Sequence, residues 1–455
     1  MAHKGKKRIS KKRRTQYLEM KVDGLLHGPE AVGRVNGRAI FVPRAVPGDE
    51  LKVKVTEKKK TFWRAEIVNV LTPSPHRRKP PCHVFGRCGG CQWLHVDYDK
   101  QVEAKTTNVL QTMKRIGRQE ISDDQIEETY KSPRKYHYRF RARLRCRVVA
   151  PGILAVGFRG AGSHRVVSHD DCWIYSPTIR RALYTAGRKM GRDLLDRTFT
   201  CHAALSTGEK PITALAIEVK EPELIAPLEA AFKAASAHLP LRYHIQSWET
   251  GECVSSQEPA HISYEVPSAD GSKITLKAAA RSFFQANLIS NEELISTLIR
   301  WADVSADDTI LDLYSGVGNL SLPLICKSKK VVAVEQNELC VALSKENAKD
   351  MGDKYEIREG EAEEICKKLA DEEKQFSLAL LDPPREGARE LIPSLRKLAP
   401  EKILYVSCDP ATLARDVAAL VDEDLYELKR LRVFDLFPQT YHVETVVELV
   451  KKAKA

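Results

Sequence analysis

A cysteine closes the run ILYVSCDPAT, residues 403–412. Ile403, Leu404, Tyr405 and Val406 are apolar and β-prone, which reads as a buried strand. Ser407, Cys408, Asp409 and Pro410 stop it, because proline cannot continue a central strand. The thiol of Cys408 is therefore expected at the C-terminal end of a parallel strand, where open α/β sheets bind their ligands. A thiol is the side chain most nucleophilic at neutral pH, so Cys408 is a candidate for covalent catalysis. Most cysteines are instead buried and inert. The flanking sequence has to decide between the two.

A second cysteine group has different chemistry. Cys82, Cys88 and Cys91 form C-x5-C-G-G-C, close enough in sequence to share one metal centre. Gly89 and Gly90 let the backbone turn tightly and aim N–H groups at sulfur. A fourth ligand must come from elsewhere, and Cys172 in SHDDCWIY is the best candidate, since Cys146 sits mid-strand in RARLRCRVV. Spacing alone leaves zinc and iron–sulfur open. Eleven cysteines in 455 residues are too few for a disulfide scaffold and odd in number, so a reducing, cytoplasmic setting is expected.

The elements that hold these groups fall into segments. Residues 1–14 carry eight Lys/Arg and no acid, which suits a solvated tail or a phosphate-binding arm. Residues 15–73 are short alternating segments broken by Gly24, Gly33, Gly37 and Gly48, the pattern of a small OB-like β-barrel. Between two of its strands, Lys58, Lys59, Lys60, Phe62, Trp63 and Arg64 pair cations with aromatics, as single-stranded nucleic acid requires. After the proline-rich linker 72–81, residues 74–280 form a central α/β domain that includes the cysteine cluster. A helix over 93–117 is expected in it, with the option of packing on the catalytic domain. Arginines 139, 141, 143, 145 and 147 recur with period two and share one face of a strand. A row of guanidiniums calls for an anionic partner. A net charge of +12 agrees, and no apolar run approaches the roughly 18 residues of a membrane-spanning helix. A monomer is the default expectation.

Residues 281–455 read as a Rossmann-like domain. DDTILDLYSGVGNLSLPL (307–324) is strand, glycine turn and helix; VVAVEQN (331–337) is a second strand ending in Glu335, placed to bind a ribose. FSLALLDPPREG (376–387) is a third strand, ending in Asp382-Pro383-Pro384. Ser321 stands where a dinucleotide fold would have its third glycine, so S-adenosylmethionine fits better than a dinucleotide.

Taken together, DPPREG (382–387), ILYVSCDPAT after fifteen residues, LFPQTYHVE (436–444) and AARSFFQAN (279–287) resemble the RNA uracil-5 methyltransferase family. C-x5-C-G-G-C resembles the iron–sulfur signature of its bacterial 23S ribosomal RNA members, and the N-terminal barrel is similar to their TRAM domain. The resemblance covers nearly the whole chain beyond the basic tail. It implies an S-adenosylmethionine-dependent enzyme that methylates carbon 5 of a uridine in 23S ribosomal RNA, with transfer RNA as the alternative substrate. It implies Cys408 as nucleophile and Glu444 as base, with His442 ranked second. It places Gln285, Tyr314, Asn319, Glu335 and Asp382 around the cofactor, with Asp382 stabilising the sulfonium or orienting the uracil. It also implies a 4Fe-4S cluster on Cys82, Cys88, Cys91 and Cys172. The departure is Asp409, where the family usually has asparagine; a carboxylate there would raise the thiol pKa unless it is paired or turned away. Tyr314 and Ser315 differ mildly from the family's commoner residues.

Two rivals remain at this stage. Asp-Pro-Pro also marks amino-group methyltransferases, but those follow it with an aromatic residue, and Arg385 stands here. A catalytically silent RNA-binding protein would have no use for both Cys408 and Glu444.

Overall fold

The computed structural model describes residues 16–163, 165–256 and 259–453; the basic tail 1–14 lies outside them. The chain forms two compact units, one of residues up to Lys79 with His95–Lys100, the other of Pro80–Leu94 with Gln101 onward.

In the first unit, β1 (Tyr17–Leu25), β2 (Glu30–Val35), β3 (Arg38–Pro43), β4 (Glu50–Lys58) and β5 (Phe62–Thr72) close into a barrel of order β1-β2-β3-β5-β4. Asn36 and Gly37 both have positive φ, as the tight hairpin between β2 and β3 requires. A Cβ on Gly33 would lie 2.1 Å from the Lys21 carbonyl oxygen, so only glycine lets β1 and β2 approach there. Phe62 and Trp63 belong to β5 rather than to a loop. The Trp63 ring carries Lys58 and Arg38 at 4.4 and 4.8 Å from its centroid.

The second unit begins with the cysteine segment. It takes in most of α1 (Tyr98–Arg115) and then β6 (Ile126–Tyr130). Next come β7 (Arg141–Ala150), β8 (Ile153–Arg159), β9 (Val166–Ser168), α2 (Pro177–Gly187), β10 (Thr198–Leu205), β11 (Thr213–Val219), α3 (Ile225–Ser236), β12 (Leu241–Ser247) and β13 (Cys253–Ser255). These strands make one sheet of order β13-β12-β11-β10-β7-β8-β9. In β7, Ala142, Leu144, Cys146 and Val148 are buried and the arginines alternate with them, as period two demands.

A hairpin, β14 (His261–Pro267) and β15 (Lys273–Ala279), leads to α4 (Leu288–Ala302). The catalytic sheet then follows: β16 (Thr309–Leu313), β17 (Lys330–Glu335), α5 (Glu338–Asn347), β18 (Tyr355–Glu359), α6 (Ala362–Asp371), β19 (Leu378–Leu381), α7 (Ile392–Leu398), β20 (Lys402–Ser407), α8 (Pro410–Val421), β21 (Tyr426–Phe434) and β22 (Glu444–Lys451). Its order is β18-β17-β16-β19-β20-β22-β21-β6, with β18 through β20 parallel and β22 antiparallel to both its neighbours. Alternate residues of β20 serve opposite layers. Leu404 and Val406 join the α4 side, whereas Ile403 and Tyr405 pack with Leu413 and Val417 of α8 and with Val109 and Met113 of α1.

Three features differ from the sequence reading. The segment after the glycine turn is not an α-helix but a turn and a single 3-10 turn, Leu322–Leu324; Pro323 lacks the N–H a longer helix needs. An edge strand, β18, precedes the one expected third. Finally β6, from the region assigned to the central domain, is the outermost strand of the catalytic sheet, parallel to β21.

Candidate active site

Cys408 sits in the turn between β20 and α8, half-buried, on the wall of a cleft of about 810 Å³. Gln285, Glu335, Asp382, Arg385, His442 and Glu444 share that cleft. The turn is fixed by Asp409, which caps α8 through Oδ1, accepting from the N–H groups of Ala411 (2.9 Å) and Thr412 (3.0 Å). Proline at the first helical position completes the signature. The carboxylate that the sequence set beside the nucleophile is thus engaged by the helix terminus, where a negative charge is favoured.

The cleft concentrates buried acids. Burial, and then the nearby Glu444 and Asp382 carboxyls, push the Cys408 thiol up to about 12; Arg385 opposes them, and Asp409 contributes least. Burial raises Asp382 to about 7. Burial, followed by Asp382, holds Glu444 well above the ordinary carboxyl range, against Arg385. The Glu444 side chain is 3% exposed and its Oε1 has no hydrogen-bond partner. Asp312, in the middle of the apolar strand β16, is pushed by burial to about 7, while the Ser321 hydroxyl, 2.5 Å from Oδ2, opposes the rise. The resting cleft thus keeps its nucleophile as the thiol and shifts Asp382 and Glu444 toward their protonated forms. Asp312 escaped the sequence reading, although an aspartate inside TILDL was the visible signal.

The cofactor side is shaped by backbone. Glu335, at the end of β17, accepts from the N–H groups of Gly316 (2.9 Å) and Asn337 (2.7 Å), which fixes its carboxylate over the glycine turn. Gly316 has φ +56, with nothing within 4 Å of where a Cβ would stand; Gly318 has φ +89, and a Cβ there would meet Leu322 at 2.5 Å. Tyr314 lines the cleft and donates to Glu363 Oε1 at 2.5 Å. Gln285 Nε2 lies 3.4 Å from Asp382 Oδ2. Asn319 is placed differently. Its amide exchanges hydrogen bonds with Asn291 (2.9 and 3.1 Å) and accepts from the Tyr264 hydroxyl (3.2 Å), off the cleft wall. The turn, the Glu335 carboxylate and the open space at Gly316 suit an adenosine-bearing cofactor.

The loop that carries His442 and Glu444 is held from several directions. The N–H groups of Gln92 and Trp93 donate to the Gln439 carbonyl (3.1 and 3.0 Å). Gln101 exchanges two bonds with Gln439, through the Gln439 N–H (2.9 Å) and side chain (3.0 Å). The Tyr138 hydroxyl donates to the Pro438 carbonyl (2.9 Å) and Asn287 to that of Leu436 (3.1 Å). Lys105, fully buried, donates to Asp435 (2.6 Å) and to the Phe437 carbonyl (3.0 Å). Gln439 itself has φ +69, a strained conformation for a side-chain-bearing residue, and the surrounding bonds over-determine it. Arg385 Nη2 lies 3.4 Å from both ring nitrogens of His442.

Cys82, Cys88, Cys91 and Cys172 line a second pocket, and none is in a disulfide. The Gly90 N–H donates to Cys88 Sγ at 3.4 Å, and the N–H groups of Ile174 and Tyr175 point at the Cys172 sulfur. A Cβ on Gly90 would meet Phe158 at 3.1 Å and Cys88 Sγ at 3.4 Å. Among the described residues, no group of three or more His, Cys, Asp or Glu is gathered as the ligand set of a single metal ion.

A doubly wound sheet with this glycine turn, acidic strand end and cleft defines an S-adenosylmethionine-dependent methyltransferase. The family description tRNA (uracil-5-)-methyltransferase matches residues 260–452, and the TRAM domain matches 11–68. The 23S rRNA (uracil(1939)-C(5))-methyltransferase RlmD of Salmonella typhi is 33% identical over 95% of this chain and 96% of its own length. That of Marinomonas sp. (strain MWYL1) is 32% identical over 95% and 94%. Among solved structures, the Pyrococcus abyssi tRNA (uracil-54, C5)-methyltransferase in complex with S-adenosyl-L-homocysteine matches with TM-score 0.70 and 25% identity, over 95% of this chain and 99% of that one. The chain belongs to the RNA uracil-5 methyltransferase family. It is an RNA-modifying enzyme with an N-terminal TRAM barrel, and no described helix is long and apolar enough to cross a membrane.

Proposed function

We propose that this enzyme methylates carbon 5 of one uridine in 23S ribosomal RNA through a covalent bond between Cys408 and carbon 6 of the uracil. The observation that carries the reading is that Cys408 and the buried Glu444, whose Oε1 has no hydrogen-bond partner, share one cleft with Asp382, Gln285 and Glu335. Carbon 5 of uracil is too poor a nucleophile to be methylated directly, and covalent addition cures that. Cys408 gives its proton to a neighbouring base, and its sulfur bonds to carbon 6. The ring's carbon 5–carbon 6 π electrons then become an enolate with density on carbon 5. S-adenosylmethionine, which Glu335 and Asp382 would hold, would supply a sulfonium methyl, and carbon 5 bonds to it as its bond to sulfur breaks, leaving S-adenosylhomocysteine. A cation in this cleft favours the ionised forms of Cys408, Asp382 and Glu444. Glu444 then takes the proton from carbon 5; the double bond re-forms and Cys408 leaves as thiolate. Asp382 and Gln285 orient the ring, which must be flipped out of its RNA to reach the thiol.

The four cysteines suit a 4Fe-4S cluster, in which thiolates are stabilised by N–H groups of the kind supplied here by Gly90, Ile174 and Tyr175. Its role would be to seat the 82–91 loop, since no step of methyl transfer moves a single electron. Iron and acid-labile sulfide should co-purify with the wild-type chain under anaerobic conditions and fall away in Cys91→Ser; a protein carrying zinc instead would overturn this.

RNA containing 5-fluorouracil tests the mechanism. The wild type should form an adduct that survives denaturing electrophoresis, because fluorine cannot leave as the proton does, and Cys408→Ser should form none. An adduct in the serine variant would sink the proposal. The choice of 23S over transfer RNA rests on the names of the curated relatives, while the solved relative is a transfer RNA enzyme. Mapping 5-methyluridine in both RNAs from cells lacking the protein separates the two.

A further inference from the structure

A second cavity, of about 660 Å³, lies beside the catalytic cleft and shares Ala280, Arg281, Gln336 and Asn337 with its wall. Nothing in the methyl-transfer chemistry uses it. On one side stand His244 of β12 and Ser255 of β13, with Nδ1 and Oγ 2.8 Å apart; His261 opens β14 and Leu339 of α5 also lines it. The floor is made of alanines. Ala216 pairs in register with His202 on one neighbouring strand and His244 on the other, so two imidazoles flank a residue with almost no side chain. The lining thus combines small apolar residues with imidazoles and other polar groups.

Arg281 and Glu338 bring charge to the lining, and Arg281 belongs to a cluster of charged groups. Glu218 Oε2 lies 3.2 Å from His202 Nε2 and 3.9 Å from Arg143, and Glu218 Oε1 lies 3.7 Å from Arg281 Nε. One carboxylate thus lies near three basic side chains, of which Arg281 lines both cavity and cleft and also donates to Gln246. Burial keeps His202, His244 and His261 below the ordinary imidazole range. At neutral pH their rings are uncharged, each with one donor and one acceptor nitrogen. Neutral rings over an apolar floor match a nucleobase, and a guanidinium at the rim matches a phosphate.

We infer that this cavity is a subsite for a nucleotide next to the target uridine, with its base between His244 and Leu339 and its phosphate at Arg281. A chain that delivers one flipped nucleotide to Cys408 must lodge the adjacent ones within a few ångströms, and this is the adjoining space with matching chemistry. The subsite rests on the RNA-methylation reading and extends it from reaction to sequence or shape selection.

The test uses the full-length enzyme and synthetic RNAs of the mapped target sequence, intact or with an abasic residue at each flanking position in turn. For the wild type, one abasic position should raise KM about tenfold, the scale of one lost base-stacking contact, with kcat little changed. His244→Ala should raise KM about tenfold on intact RNA and lose nothing further on that abasic RNA. His261→Ala serves as an independent variant. S-adenosylmethionine binding, measured by calorimetry, should match the wild type in both. Wild-type KM in both variants, or multiplying penalties at every position, overturns the subsite. Weakened S-adenosylmethionine binding overturns it in favour of a cofactor pocket. A wild type that methylates no RNA defeats the underlying reading instead, so the two failures are distinguishable.

Discussion

The barrel and the catalytic cleft each bury carboxylates, and they treat them in opposite ways. In the barrel unit, Asp49 is fully buried, yet it accepts from the N–H groups of Val46 (2.7 Å) and Ser74 (2.9 Å) and from Arg77 (3.0 Å). Burial alone would raise its pKa; the Arg77 bond and the two N–H groups outweigh that and hold it below the usual value. Burial prevails instead at Asp382 and Glu444 on the cleft wall and at Asp312 inside β16. The first arrangement satisfies a charge so that a loop keeps its shape. The second leaves acids poised to exchange protons, which is what chemistry at a reacting carbon requires.

The largest effect expected from breaking the contrast is at Glu444. Glu444→Gln should slow turnover by roughly a hundredfold or more, within the range of general-base catalysis. It should also accumulate the Cys408–RNA adduct on ordinary RNA, because release of the cysteine awaits loss of the carbon 5 proton. Fast turnover without adduct would mean that another group is the base.

A smaller and sharper test makes one substitution in two places. Asp49→Asn leaves Arg77 without its charge partner and should destabilise the barrel by about 3 kcal/mol, read by urea unfolding at pH 8. Asp312→Asn removes a charge that the fold resists, and should stabilise by on the order of 2 kcal/mol at the same pH. The signs follow from linkage. Asp312 has a folded pKa of about 7 against the ordinary carboxyl value of 3.8, so the folded state binds the extra proton between them. Its contribution therefore falls as pH rises from about 4 to 7, and the gain from Asp312→Asn should vanish near pH 4. Asp49, lowered by its partners, stabilises above about pH 4 and loses that contribution as pH falls. Equal signs at pH 8 would erase the distinction between the two regions.

Much of this was legible in the sequence because the physics is local. Alternation in 15–73 gave the barrel, Gly37 one of its turns, and the apolar run before Cys408 its strand. Asp409 followed by Pro410 was a helix start in plain sight, although it read first as a threat to the thiol. What escaped depends on contacts between distant segments. The edge strand Tyr355–Glu359 has no fully buried residue, four being half-buried and Glu359 exposed, so it carries little alternation to read. The union of β6 with β21 joins residues some 300 positions apart. Asn319, which the resemblance places at the cofactor, exchanges amide hydrogen bonds with Asn291, a pairing between distant segments that no local pattern announces.

The bonds around Gln439 bear on how this enzyme could be divided. Every group proposed to react lies within residues 260–452, the span of the family match, yet the peptide that presents Glu444 is gripped by Gln92, Trp93, Gln101, Lys105 and Tyr138. A fragment beginning at 260 would inherit the reagents without the jig that aims one of them. The upstream half of the chain is thus a component of the catalyst as well as a handle for RNA.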